Sequence, residues 1–567
     1  MWAIHILLML STSKAFFYTA PPPTLRWVHK QQYFFSKTYC KDTRRVNRLA
    51  ASDVNTSSSD HAQKRNNTAM LLLSPSRLRL RDNVALTKAA ELGSDGLSIC
   101  LAWPYPATHQ RTPAEAFGYE AVRGLNDELE KLGQQLWLLP SYDELSQAVK
   151  ELNPSHVIVD TCLLDRHHKR ASTLRDKLQA TNVVEVVDDG TLVAFEDIAK
   201  VLGRSRQGGR VLRWSTFLSN TMKEELNMEQ HLRPIPPLPP PLHNNMNEIT
   251  RTLAIPSLES FPSWAKQLLE DWGDISEEEA LLRAKSSGDH ANEERESSFS
   301  SSLTEKGSRN TKLSPYLRWG IISPQRAADA GVRLRDLLWR DWSHVSYALL
   351  GPLQRGDAVM EFMDNSCRSD LHIQNVSEAD LFNLWCVGNT GSKLVDAGMR
   401  QLWMEGWMPR RMRLLTAACL VEGLGLDWRL GRDWFEHTLV DHDPAINEAM
   451  WQNAGLSGVD PFYAGIAWEQ QPNGQEEDYV EKWSKETLIW PSSLSPYSSM
   501  EPPSQILNEA KSRREVLRQR GIYKAARTVS NAGVRVAWEG LATHSSVKTG
   551  EVIGSGLVPV LRVENLT

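Results

Sequence analysis

Cysteine is scarce in this chain, with six in 567 residues: Cys40, Cys100, Cys162, Cys367, Cys386 and Cys419. They are scattered and form no CxxC pair, so neither a zinc site nor a disulfide framework is expected, and no metal is called for. Long apolar runs are missing as well. None approaches the roughly 18 residues of a membrane span, so no membrane partner is expected. Positive charge is not in excess, with 64 Lys/Arg against 69 Asp/Glu and a net charge of −5. Bulk charge therefore does not advertise nucleic-acid binding, and any DNA contact needs a local basic patch. No GxGxxG is present, which excludes a dinucleotide fingerprint. No internal repeat is visible.

What is present begins with a short apolar core, residues 1–15, that has the shape of a signal peptide rather than a membrane span. Residues 16–65 then hold nine Lys/Arg against three Asp. That Ser-, Arg- and Lys-rich composition reads as a transit-like, disordered segment. The pair, with Phe16 just after the presumed cut, resembles the bipartite leaders of algae with complex plastids. Plastid import is the expectation, with a nuclear location as the alternative.

From residue 66 to 202 the pattern alternates. MLLLS, LSICLAW, QQLWLLP, HVIVDTC and VVEVV read as short buried strands. AEAFGYEAVRGLNDELEKLG, SYDELSQAVKEL and HHKRASTLRDKLQATN read as amphipathic helices between them. Strand–helix alternation with buried strands predicts a parallel α/β, Rossmann-like domain. Residues 203–255 read as a connector, whose IPPLPPPLHNN favours an extended spacer. An all-helical domain is expected over 256–485, with residues 286–310 as a loop. Residues 486–567 form a C-terminal extension whose last forty residues are weakly patterned.

The most informative stretch runs from Leu384 to Asp460. Apolar and polar residues alternate there at helical spacing, and Trp, Arg, Asp and Asn recur within the pattern. Exposed helices rarely carry so many Trp, and buried ones rarely carry so many charges unless these are paired. The pattern predicts a helical layer around a large, flat, partly polar ligand. VDAGMRQLWMEGWM, DWRLG, LVDHD, Asn447 and MWQN, together with TKLSPYLRWGIISPQ and LLWRDW upstream, resemble the photolyase/cryptochrome flavoprotein family. The scattered cysteines do not resemble its iron–sulfur branch.

The resemblance implies FAD in the helical domain. It assigns Thr311, Lys312, Leu313 and Ser314 to the diphosphate, and Arg413 with Asp441 to an ion pair beside the flavin ring. Arg340, His442 and Asp443 fall on further flavin-contacting positions, and Asn447 on the one facing the flavin N5. Trp451 and Trp428 match the first two members of an electron-transfer relay, while Asn375 stands at the third. Trp403, Trp407 and Trp434 are nearby alternatives. In relatives the α/β domain carries an antenna pigment of folate or deazaflavin type, which nothing in this sequence identifies. Asp336, Trp339, Arg340, Arg410 and Leu414 fall on substrate positions. Trp339 and Arg340 suit a flipped pyrimidine dimer, whereas Asp336, Arg410 and Leu414 depart from the repair pattern. Arg410 and Arg411 suit either a DNA phosphate or simple solvation at the surface.

Two functions stay open. One is a light-driven, FAD-dependent lyase that repairs cyclobutane pyrimidine dimers in damaged DNA. The other is a blue-light photoreceptor without repair activity, acting on a signalling partner protein. Asn447 and Trp339 incline the reading toward repair.

Overall fold

The computed structural model describes most of residues 67–564, leaving out 1–66, 104–111, 162–181, 198–209, 222–231, 292–310, 544–551 and some shorter stretches. The leader, the helix expected at HHKRASTLRDKLQATN and most of the 286–310 loop lie outside the described residues. The helix Glu277–Ala291 continues into the first part of that expected loop.

The first part of the fold is a parallel sheet. β1 (Thr68–Leu73), β2 (Gly96–Ala102), β3 (Leu136–Leu139), β4 (His156–Thr161) and β5 (Asn182–Val187) lie in the order β3-β2-β1-β4-β5. All pairings among them are parallel, with Leu71 opposite Ile99 and Met70 opposite Val157. The strands are continuous apolar runs because both faces are covered, as a parallel sheet requires. α1 (Val84–Leu92), α2 (Pro113–Lys131) and α3 (Tyr142–Leu152) connect them. α2 starts at a capping box: Thr112 accepts from the Glu115 amide, Glu115 accepts from the Thr112 amide, and Pro113 holds the first position.

The Pro-rich part of the connector, residues 232–240, has no regular secondary structure and is docked rather than a free spacer. Proline carbonyls retain their acceptor capacity. The Pro240 carbonyl accepts from the Leu97 amide, and the Pro239 carbonyl from the Gln134 side chain.

The helical part follows. Its main elements are α4 (Leu334–Leu349), α5 (Glu378–Cys386), α6 (Lys393–Glu405), α7 (Arg410–Ala418), α8 (Trp428–Thr438) and α9 (Pro444–Ala454). A π-turn, Cys419–Gly423, continues α7. α10 (Gln475–Lys485), α11 (Ser504–Gln519) and α12 (Ile522–Ala532) come after. The expected architecture, a parallel α/β domain followed by a helical one, is the one observed.

The RLRLRDN segment joins these two parts. Arg77 pairs with the buried Asp160 at the end of β4, 3.3 Å away. Arg79 donates to the Gly320 carbonyl, the Leu78 amide donates to the Trp319 carbonyl, and the Ser323 hydroxyl donates to Asp82. Gly320 has φ +63°, and a Cβ there would overlap the Ser76 carbonyl. Only glycine allows both that backbone conformation and that approach.

The C-terminal residues are more ordered in backbone than their sequence pattern suggests. β6 (Arg210–Val211), from the connector, pairs antiparallel with β7 (Arg535–Thr543). β8 (Val552–Ile553) adds a sixth parallel strand beside β5, and β9 (Leu557–Glu564) pairs antiparallel with β7. RVAWEGLAT and LVPVLRVE are rich in residues suited to a pleated surface. Their partners lie hundreds of residues upstream or within the same tail, so no local period marks them.

Candidate functional site

Helices α4, α7, α8 and α9 and the segments around Ser314 and Asp441 build the site. On α7, Arg410, Arg413 and Leu414 share a face at helical spacing. The Arg410 guanidinium lies 4.6 Å from the centre of the Trp339 ring on α4. Arg413, one turn on, reaches Asp441 at 2.8 Å and also donates to the Met408 carbonyl. The same Asp441 oxygen accepts the Ser314 hydroxyl at 2.6 Å, and Ser314 accepts from the Trp407 indole at 3.1 Å. Arg413 and Ser314, far apart in sequence, thus meet at one carboxylate. The other oxygen of Asp441 is buried with no hydrogen-bond partner. A buried carboxylate oxygen in that state is satisfied by an N–H or O–H donor of a bound group.

Beside Ser314, Leu313 is buried and Lys312 has φ +49°. Lys312 pairs with Glu405 at 3.0 Å and lies against the Trp272 and Trp407 rings. The Thr311 carbonyl accepts from Arg283. The TKLS segment is therefore held by the protein itself, and the Ser314 hydroxyl faces Asp441 instead of capping its own short helix.

Asp443 is fully engaged within the chain. One of its oxygens caps α9 by accepting from the Ala445 and Ile446 amides, and the other meets His344 at 2.8 Å. Burial alone would raise its pKa, but His344, Arg340 and Arg318 hold the carboxyl far below the usual range. Burial, then the charge of Arg340, push the His344 pKa down, against the opposing pull of the Asp443 carboxylate. These bonds make Asp443 a pin for the start of α9. Loss of solvation, with Arg318, pushes the pKa of the half-buried His442 down to about 3, and its carbonyl accepts from Arg318. Arg340 donates to the Gly190 carbonyl of the α/β domain.

Asn447 sits on α9 one turn after Asp443. Its Nδ2 donates to the Arg432 carbonyl on α8 at 3.1 Å, which leaves the amide oxygen as the end available to a ligand. Trp451 lies one turn further along the same face. Trp428, at the start of α8, donates to Asp364 at 3.1 Å. α8 and α9 pack so that each of these indoles covers the other helix's glycine: Trp451 lies against Gly431 and Trp428 against Gly455, with no room for a Cβ at either. The position expected for a third relay member, Asn375, is an exposed turn residue with φ +62°.

The remaining substrate candidates divide. Trp339 is half-buried in an aromatic cluster, its centroid 4.8 Å from Trp214 and 5.0 Å from Trp342. Leu414 is buried. Asp336 is exposed and pairs with Arg333 at 2.7 Å on its own helix. Arg411, which the sequence offered for a DNA phosphate, is engaged within the chain. It is mostly buried and pairs with Glu476 on α10, because consecutive residues of α7 point about 100° apart. His344 escaped the sequence reading, although its spacing on α4, one turn past Arg340, was the available signal. Among the described residues no cluster of His, Cys, Asp and Glu suits a metal, and no helix is long and apolar enough to cross a membrane.

Comparison with known proteins places these features. Residues 71–235 match the family described as DNA photolyase, and residues 333–514 match the FAD binding domain of DNA photolyase. A deoxyribodipyrimidine photo-lyase of Alkalihalophilus pseudofirmus is 31% identical over 36% of this chain and 43% of its own. A cryptochrome DASH of Danio rerio is 35% identical over 31% of this chain and 36% of its own. The chain thus spans less than half the length of these two curated relatives. The crystal structure of a bacterial class III photolyase from Agrobacterium tumefaciens superposes with a TM-score of 0.59 at 21% identity, covering 83% of this chain and all of that one. With the two domains matched in order and the Arg413–Asp441 pair inside the second, this chain belongs to the photolyase/cryptochrome family.

Proposed function

We propose that the protein is a blue-light-driven, FAD-dependent lyase that splits cyclobutane pyrimidine dimers in DNA. The observations that carry this reading are a neutral Asn447, locked to the Arg432 carbonyl, and the Trp339–Arg410 contact. A bound flavin supplies light absorption and one-electron chemistry, which the protein then positions and tunes. The residues fit it. The unpartnered oxygen of Asp441 needs a donor, Arg413 supplies positive charge beside it, and Asn447 presents an amide oxygen that accepts without acting as a proton donor. Trp339 offers an aromatic face to a flipped base, and Arg410 a cation beside it. The antenna pigment remains an expectation for the α/β domain, and plastid import an expectation from residues 1–65.

The test is repair of a dimer-containing oligonucleotide under blue light, with a dark control and the FAD content measured. Light-dependent repair by the FAD-loaded protein supports the reading. A loaded protein that repairs nothing in light refutes it. The second reading, a photoreceptor, is favoured by Asp336, which is tied to Arg333 instead of facing a base. The same assay separates the two.

A further inference from the structure

We propose that His344 is a positioning residue for the flavin: its ring N–H holds the Asp443 carboxylate, and through it the start of α9 that presents Asn447. The proposal rests on the FAD reading above and adds to it a residue that the family motifs do not mark.

His344 lies on α4 and is 1% exposed. Its Nε2 meets Asp443 Oδ2 at 2.8 Å. Asp443 Oδ1 accepts from the Ala445 and Ile446 amides at 3.0 and 3.1 Å, and the Asp443 carbonyl accepts from the Asn447 amide at 2.8 Å. Asp443 therefore sets the first turn of α9, and with it the place of Asn447. Its neighbours keep Asp443 ionised, and a carboxylate only accepts. The hydrogen between the two side chains thus sits on His344 Nε2, whichever charge state the imidazole takes. Arg318 and Arg340 also face this carboxylate with their charge, but their hydrogen bonds go to the His442 and Gly190 carbonyls. Among the described residues, His344 is the side chain that hydrogen-bonds Asp443 Oδ2.

Packing alone does not account for an imidazole here. His344 Nδ1 is buried with no hydrogen-bond partner, and an unsatisfied buried polar atom is destabilising. An aliphatic side chain would fill the space without that penalty. The Nε2 contact, a hydrogen bond to a charged group, is what offsets it.

The contact also joins two helices with different tasks. α4 is fixed on its far side by Asp341, whose carboxylate accepts from the Leu192 and Val193 amides at 3.0 and 3.1 Å. The same helix carries Trp339, the ring proposed for the substrate, while α9 carries Asn447. His344 ties one to the other. It also tempers the field of the carboxylate. A buried negative charge opposes the addition of an electron to a bound flavin, and a donated hydrogen bond draws part of that charge toward the imidazole.

The experiment uses the full-length, FAD-loaded protein and three variants. His344→Leu removes the donor. His344→Gln keeps an N–H at about the reach of Nε2 and has no imidazole. Val345→Ala, fully buried on the same helix, weakens packing and leaves the Asp443 hydrogen bonds in place. The readouts are the flavin midpoint potential by spectroelectrochemical titration, the fine structure of the bound flavin absorption band, and the urea midpoint of each protein. His344→Leu should shift the potential downward and blur the fine structure, and His344→Gln should return both toward the wild type. Val345→Ala should lower only the urea midpoint. A wild-type potential and spectrum in His344→Leu, or the same changes in Val345→Ala as in His344→Leu, reduce His344 to a packing residue and overturn the proposal. If His344→Leu holds no FAD, His344→Gln decides: wild-type flavin properties support the donor role, and loss of FAD there as well overturns it. A wild type that takes up no FAD overturns the FAD reading and this proposal with it. None of these outcomes depends on DNA repair, so the lyase reading is tested apart.

Discussion

Replacing Asp441 tests the centre of the site. Its side chain is 3% exposed and joins Ser314, Arg413 and, through Ser314, Trp407. Asp441→Ala strands the Arg413 cation and removes the acceptor of the Ser314 hydroxyl. Breaking a buried ion pair from one side costs about 3–5 kcal/mol. Arg413 is 26% exposed and keeps the Met408 carbonyl, so part of its charge stays solvated. About 2–3 kcal/mol is the resulting expectation. Asp441→Asn keeps the shape and one acceptor while losing the charge, and should cost about 1–2 kcal/mol. The assay is urea unfolding of the apo-protein, read as a lower midpoint at unchanged slope, followed by flavin retention on gel filtration. Both variants should retain less FAD than the wild type, Ala less than Asn. Wild-type stability and flavin content in Asp441→Ala would refute the assignment of this carboxylate as the hub.

Further outcomes follow from other residues. Gly320→Ala forces a Cβ into the Ser76 carbonyl at positive φ and should destabilise the protein by about 2–4 kcal/mol, measured as a fall in Tm; an unchanged Tm would show that the α/β–helical joint can relax. Glu422, in the π-turn, is 2% exposed and accepts the Gly465 amide, and burial pushes its carboxyl up to about 7. Its folded pKa lies above the unfolded value, so its contribution is fully present below about 4.3 and is lost as pH rises through about 7. Glu422→Gln should therefore gain stability relative to the wild type at pH 8 and not at pH 4, by urea titration; a pH-independent difference would show that its proton is not the cause. A fluorescent reporter carrying residues 1–65 should reach a plastid, and Phe16→Ala should divert it; cytosolic or nuclear fluorescence rejects the leader reading.

The strands of the sheet were legible because a buried parallel strand is a short continuous apolar run, and that pattern is local. The main helices were legible for the same reason, through the 3.6-residue period. Ser314, Arg413, Asp441 and Asn447 were legible through the order of motifs, and the structure brings the first three together on one carboxylate. What the tertiary structure alone decided is which charges pair and which rings touch. Arg410 and Arg411 are adjacent in sequence, yet one lies over Trp339 and the other is locked to Glu476, since neighbours on a helix face different partners. Asp443 reads as a ligand group in its motif but is consumed by α9 and by a histidine 99 residues away. Trp403, Trp434 and Trp490 carry no common period, and only packing stacks the Trp403 ring against both of the others. Local pattern encodes the face that an element buries. Which side chain from a distant element meets that face follows from packing, where pairs far apart in the chain are formed only once the elements that carry them are in place.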